Sequence, residues 1–156
     1  LTPDGICGSK TFGKIDRLLG RTTTASRGDS EQGGQKIVDF AKEFLGVKYV
    51  WGGTTPKGFD CSGFVKYVYD NFGIILNRVA ANQAKQGTYV KKENLQSGDL
   101  VFFDTDGGHS NINHVGIFIG GGKFIQASSG NSGVVISDLT EGFYAKTYMT
   151  AKRLLK

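Results

Sequence analysis

The sequence predicts an α+β domain in which N-terminal helices pack on an antiparallel β-sheet, and three observations predict it. Apolar residues recur at helical spacing between Gln35 and Phe72, the period shortens to that of strands after Gly98, and glycine-rich turns separate the strand-like runs. With 156 residues, 38% of them hydrophobic and 21% charged, the chain is the size of one ordinary domain and has the apolar material for a core. Its longest apolar runs, such as 115–119, are strand-sized, so a soluble protein without membrane insertion is expected.

The elements follow in order. Residues 1–20 hold a short periodic element (Phe12, Ile15, Leu18, Leu19) stopped by Gly20, too small to be a domain. Residues 21–34 contain no large apolar residue and read as a linker, which starts the main domain, 35–156, near Gln35. Ile37, Phe40, Ala41, Phe44 and Leu45 then make one stripe of a core-facing helix that Gly46 can cap. A glycine-rich connection with Tyr49 and Trp51 leads to Asp60, and Cys61, Phe64, Val65, Val68 and Phe72 follow at helical spacing before Gly73. A shorter third helix is expected over 79–86. Strands are expected over 100–103, 114–119, 124–127, 134–136 and 148–155, as a meander whose second and third members are joined by Gly120-Gly121-Gly122.

Nineteen Lys and Arg against fourteen Asp and Glu give a net charge of +5, which favours an anionic partner. The basic residues are scattered in ones and twos, so nucleic acid is not the expected one. Cys7 and Cys61 could form at most one disulfide, and both thiols are expected to be free.

Cys61 is the candidate nucleophile. Asp60 is a good N-cap, which places Cys61 at the positive end of a helix, where unpaired backbone N–H groups favour thiolate. The alternative is a small buried hydrophobe. Of the two histidines, His109 lies in a Gly-, Ser- and Asn-rich loop that gives it no fixed orientation, whereas His114 opens the strand HVGIFIG. A hairpin centred on Gly121 pairs residues whose numbers sum to about 242, which sets Gln126 diagonal to His114 on the same face. Gln126 could accept from one ring N–H and leave the other nitrogen towards Cys61; Ser128 is the weaker candidate for that position. A metal site is disfavoured, because Cys61 and His114 lack the close-spaced Cys or His pairs of structural zinc sites.

Tyr49-Val50-Trp51-Gly52-Gly53, Asp60-Cys61-Ser62-Gly63-Phe64, Ser97-Gly98-Asp99-Leu100-Val101-Phe102-Phe103, His114-Val115-Gly116-Ile117 and Phe124-Ile125-Gln126-Ala127-Ser128 together resemble, in order, the NlpC family of papain-like cell-wall peptidases. The resemblance covers residues 35–155. It implies a papain-like core and a cysteine endopeptidase that cleaves peptidoglycan stem peptides between γ-linked D-glutamate and the following diamino acid. Under it Cys61 is the nucleophile, His114 the base and Gln126 the third polar member, a position more often His. Tyr49 matches a tyrosine that helps bind the oxyanion, and Asp60 and Ser62 match the lining of a pocket for the stem's free amino end. Arg78 falls in a shared region and is given no role. The loop 105–113 is long and polar, and Lys48 stands where the family often has Pro. Residues 4–12 resemble the tail of a helical peptidoglycan-binding repeat, so 1–20 is its expected remnant. No cofactor is expected, and the protein is expected to be a monomer, secreted or associated with the bacterial cell wall. The rivals are a papain-like amidase or acyltransferase on another substrate and a non-catalytic wall-binding module.

Overall fold

The computed structural model describes residues 25–108, 110–130 and 133–155. The expected 1–20 element, Cys7 and His109 lie outside the described residues. The chain divides into two units, Leu1–Ser30 and Glu31–Lys156, and the sheet and candidate site belong to the second.

Helix α1 (Ala25–Lys42) carries the predicted stripe but starts inside the expected 21–34 linker. A segment without large apolar residues leaves no periodic signal, so a helical extension there was invisible to the pattern. Ile37 and Ala41 are fully buried, whereas Leu45, past the end of the helix, is 44% exposed. A short hairpin, β1 (Thr54–Thr55) with β2 (Gly58–Phe59), leads into α2 (Cys61–Asp70), which has Asp60 as its N-cap. After α3 (Ala80–Gln83) the chain forms β3 (Thr88–Tyr89), β4 (Leu100–Phe103), β5 (His114–Gly120), β6 (Lys123–Ser128), β7 (Gly133–Asp138), α4 (Phe143–Thr147) and β8 (Tyr148–Arg153).

The six-stranded antiparallel sheet has the order β3-β8-β4-β5-β6-β7. Strands β4 to β7 form the expected meander, but β8 does not extend it. It returns to the other edge of β4, pairing Val101 with Ala151 and Phe102 with Thr150. Helix α4 makes that return possible by carrying Tyr144 onto the rings of Phe103 and Phe124.

Strand alternation splits the core in two. Leu100, Phe102, Val115, Ile117, Ile125 and Ala127 pack with the apolar faces of α1 and α2, while Val101, Phe103, Phe118, Phe124 and Ala151 make a second cluster with Leu139. Burying each Phe or Ile side chain contributes roughly 1.5–3 kcal/mol. The β5–β6 turn is the two-residue Gly121-Gly122, both at positive φ, as a tight hairpin of right-handed twist requires. A bulge between Phe118 and Gly120 absorbs the offset, so Ile117 pairs with Ile125 and Phe118 with Phe124, in the expected register.

Candidate active site

Three local devices set Cys61 in place. The Asp60 side chain accepts the Gly63 N–H at 2.7 Å, starting α2 one residue before the cysteine. Phe59, immediately upstream, is fixed edge-on between Phe44 and Phe64 at centroid distances of 5.7 and 5.3 Å. Gly63 lets the 50–53 turn close on the helix, because a Cβ there would stand 2.0 Å from the Gly53 carbonyl oxygen.

The sulfur of Cys61 lies against the backbone on either side of His114. It is 4.0 Å from the Asn113 carbonyl oxygen and receives the Val115 N–H. Asn113 in turn is held by the long polar loop, its side-chain oxygen accepting from Thr105 N–H at 2.9 Å and Thr105 hydroxyl at 3.0 Å. The buried Asp104 carboxylate gathers the amides of Asp106, Ser110 and Asn111, so the loop is pinned from within.

His114 and Gln126 are brought together as the register predicts. The ring Nε2 is hydrogen-bonded to Gln126 Oε1, and the fully buried Gln126 amide donates onward to Ser137 Oγ at 2.8 Å. Because that carbonyl oxygen can only accept, Nε2 carries the proton and Nδ1 is left with a free lone pair. The imidazole also stacks on Tyr144, at 6.1 Å and 24° between planes, and tilts against Phe103. Ser128 lines the same cavity as His114 and Tyr144, but the bond to Nε2 comes from Gln126.

Beside Cys61 opens a cavity of about 470 Å³, walled by Tyr49, Asp60, Ser62, Arg78 and the apolar Trp51, Val79, Ala80, Ala81 and Ile112. Arg78, which the sequence reading left without a role, is bound to both carboxylate oxygens of Asp60, at 2.7 and 3.2 Å, and to Ser62 Oγ at 2.9 Å. No spacing rule links residues 60 and 78. The loop that carries Arg78 is tied to the first turn of α2 by Gln83, whose amide donates to the carbonyls of Asn77 and Ser62 at 2.8 and 3.2 Å. Tyr144 and Gln83 were likewise missed; the Gly142-Phe143-Tyr144 sequence was the signal for the former, an aromatic pair after a turn residue.

The electrostatics correct one expectation. Burial pushes the Cys61 thiol up, the Asp60 charge adds to this, and the amides of Val115, Ser62 and Cys61 pull the other way without prevailing. The helix terminus therefore moderates the thiol's pKa but does not lower it below the ordinary value. Burial holds the His114 imidazole below its ordinary value, partly offset by the Gln126 bond. Both shifts favour the uncharged forms, thiol and imidazole. The Tyr49 hydroxyl is raised, chiefly by burial and then by Cys61 and Asp60, so it remains a proton donor.

Residues 46–153 match the NlpC/P60 family. Over 119 residues the chain is 40% identical to the gamma-D-glutamyl-L-lysine dipeptidyl-peptidase of Bacillus cereus, the match covering 76% of this chain and 36% of that one. Over 121 residues it is 42% identical to the murein DD-endopeptidase MepS/murein LD-carboxypeptidase of Escherichia coli, covering 77% and 62%. The chain therefore spans about a third of the first relative and less than two thirds of the second. Among solved structures, an NlpC/P60 family protein from Bacillus cereus superposes with a TM-score of 0.75 at 38% identity, covering 79% of this chain and 40% of that one. The NlpC/p60 domain of the peptidoglycan hydrolase SagA gives 0.66 at 35% identity, covering 76% and 97%.

Proposed function

The chain belongs to the NlpC/P60 family, and from that premise we propose that it is a cysteine endopeptidase of peptidoglycan stem peptides, cutting the γ-D-glutamyl–diamino acid bond. The observation that carries the reading is the seating of the Cys61 sulfur at the start of α2, against the backbone that flanks an imidazole held by Gln126. The relatives' names support the substrate class.

In this reading His114 Nδ1 takes the thiol proton as the scissile carbonyl docks, and the thiolate adds to the carbonyl carbon. The Cys61 backbone N–H and the Tyr49 hydroxyl receive the oxyanion. The imidazolium returns its proton to the leaving amine, the C–N bond breaks, and a thioester remains. Water, deprotonated by the same imidazole, then releases the γ-glutamyl carboxylate and restores the thiol. Gln126 holds the imidazole in one tautomer throughout, while Asp60 and Ser62 shape the substrate cavity together with Arg78. A neutral resting pair makes His114 a true general base, so activity follows its neutral form.

The catalytic unit is the 35–156 segment. The protein would act as a monomer, outside the cytoplasm or at the wall, and the +5 net charge suits that anionic polymer. The deciding experiment is mass spectrometry of muropeptides after incubation with the wild type and with Cys61→Ala. A fragment cut after γ-linked D-glutamate, made by the wild type alone, is expected. Equal cleavage by both proteins would remove Cys61 from the chemistry, and cleavage by neither would remove the activity.

A further inference from the structure

Strand β7 runs beside β6 with Val135 opposite Gln126 and Ser137 opposite Phe124. Ser137 is two residues beyond Val135, so it shares a sheet face with Gln126 and stands diagonal to it. The Gln126 side chain is fully buried, and among the described residues its amide has two partners. Its Oε1 meets His114 Nε2, and its Nε2 donates to Ser137 Oγ at 2.8 Å. The two ends of a carboxamide have nearly the same shape, so packing does not choose which end faces the imidazole; hydrogen-bond partners do. With Oε1 inward, the ring proton is held on Nε2 and Nδ1 keeps its lone pair. With the amide turned over, its NH2 would donate to the ring Nε2, the ring proton would move to Nδ1, and the base would be lost. A turned-over amide also cannot accept from the imidazolium that forms during proton transfer.

We propose that Ser137 is a positioning residue: acting through Gln126, its hydroxyl holds the proton of His114 on Nε2 and leaves Nδ1 as the base. Among the described residues, this hydroxyl is the group that receives the buried amide N–H. Without it, the working orientation buries an NH2 that has no acceptor, whereas the turned-over one buries a carbonyl oxygen that has no donor. Orphaned N–H groups are the less tolerated of the two. Ser137 is half-buried, so its own proton can go to solvent while its oxygen accepts from Gln126. A hydrogen bond of this kind shifts an equilibrium by roughly 2- to 12-fold, enough to change which ring tautomer dominates.

The test compares Ser137→Thr, which keeps the hydroxyl, with Ser137→Val, which has the same branched shape without it. Isotope-edited NMR of the histidine ring nitrogens in the full chain, at about pH 8 and so above the ordinary imidazole range, shows which nitrogen carries the proton. The chain has two histidines, and His114→Ala assigns the signals. The wild type and Ser137→Thr are expected to carry the proton on Nε2, and Ser137→Val to gain the Nδ1–H form. A kinetic arm, on muropeptides, rests on the peptidase reading above. There Ser137→Val should lower kcat by roughly 2- to 12-fold with KM unchanged, and Ser137→Thr should restore it. A Ser137→Val spectrum identical to that of the wild type overturns the proposal, even where stability falls. Equal kcat in the Thr and Val variants overturns it too. Should Ser137→Val fail to fold, Ser137→Ala takes its place under the same two readings. A wild type that cleaves no muropeptide sinks the peptidase reading alone, because the spectra decide the role of Ser137 without turnover.

Discussion

Asp60 and Arg78 are joined by two hydrogen bonds while the same Asp60 carboxylate caps α2 through Gly63. One side chain therefore starts the nucleophile's helix and also neutralises the cavity next to it. The two duties separate by substitution. Asp60→Ala loses both, and the missing cap alone should lower the unfolding free energy by about 0.5–2 kcal/mol. Asp60→Asn keeps a capping oxygen and should be less destabilised, yet it loses the ion pair and leaves Arg78 uncompensated. Urea unfolding of the two variants checks this, and equal loss in both would show that the cap contributes little.

The pH dependence of kcat/KM should report His114. Burial keeps its pKa below the ordinary imidazole value, so the base stays neutral and active to lower pH than a free imidazole would. The Gln126 bond works against burial and raises the pKa. Gln126→Ala should therefore shift the acid limb further down while lowering kcat, through loss of the fixed tautomer. Gln126→Glu, which sets a negative charge against Nε2–H, should shift the limb up. Profiles of the three proteins decide it; limbs that move in the same direction for Ala and Glu contradict the account.

Alkylation of Cys61 tests the neutral resting pair. Because burial dominates and pushes the thiol up, iodoacetamide should react slowly at neutral pH, with its rate inflecting on the alkaline side of the usual thiol range. An inflection well on the acid side would mean a preformed thiolate–imidazolium pair instead. His114→Ala should leave the inflection alkaline.

A second ion pair concerns the scaffold. Asp99 is buried, and Arg153 on β8 reaches it with two bonds of 2.8 Å, joining the last strand to the entrance of β4. Arg153→Leu leaves that carboxylate buried without its cation, at a cost of about 3–5 kcal/mol. Adding Asp99→Asn should recover part of the loss, because the remaining group is uncharged. Chemical denaturation of the single and double variants measures both steps.

Legibility in the sequence followed the range of the interaction. Asp60 capping Cys61's helix is a relation among neighbours, and His114 facing Gln126 follows from one turn and a period of two, so both could be read from spacing. The bulge near Gly120 did not spoil the register because the tight turn offset it. Relations that depend on how distant segments fold together were not readable. Asp60 and Arg78 meet through an irregular 71–79 segment that Gln83 ties down, and β8 returns to β4 because α4 packs on the second cluster. The direction of the thiol's shift was misread for the same reason: the helix terminus is local, whereas burial by the 112–115 backbone is tertiary. The early start of α1 left no apolar signal at all.

Tyr144 stands outside every motif in the sequence, yet its ring is stacked on the imidazole at 6.1 Å, and the Phe103 ring tilts against it at 5.8 Å. The stack covers one face of the imidazole, and burial is what lowers its pKa. Tyr144→Ala should admit water, raise that pKa and move the acid limb of kcat/KM upward, opposite to the movement for Gln126→Ala. Loss of an aromatic contact worth about 0.5–1.5 kcal/mol should also reduce kcat by roughly 2- to 10-fold as the ring becomes free to turn. Tyr144→Phe keeps the stacked ring and should restore both the limb and kcat, because the hydroxyl takes no part in the stack. If Tyr144→Ala instead raises KM with an unmoved limb, the ring is a wall for substrate and not a support for the base.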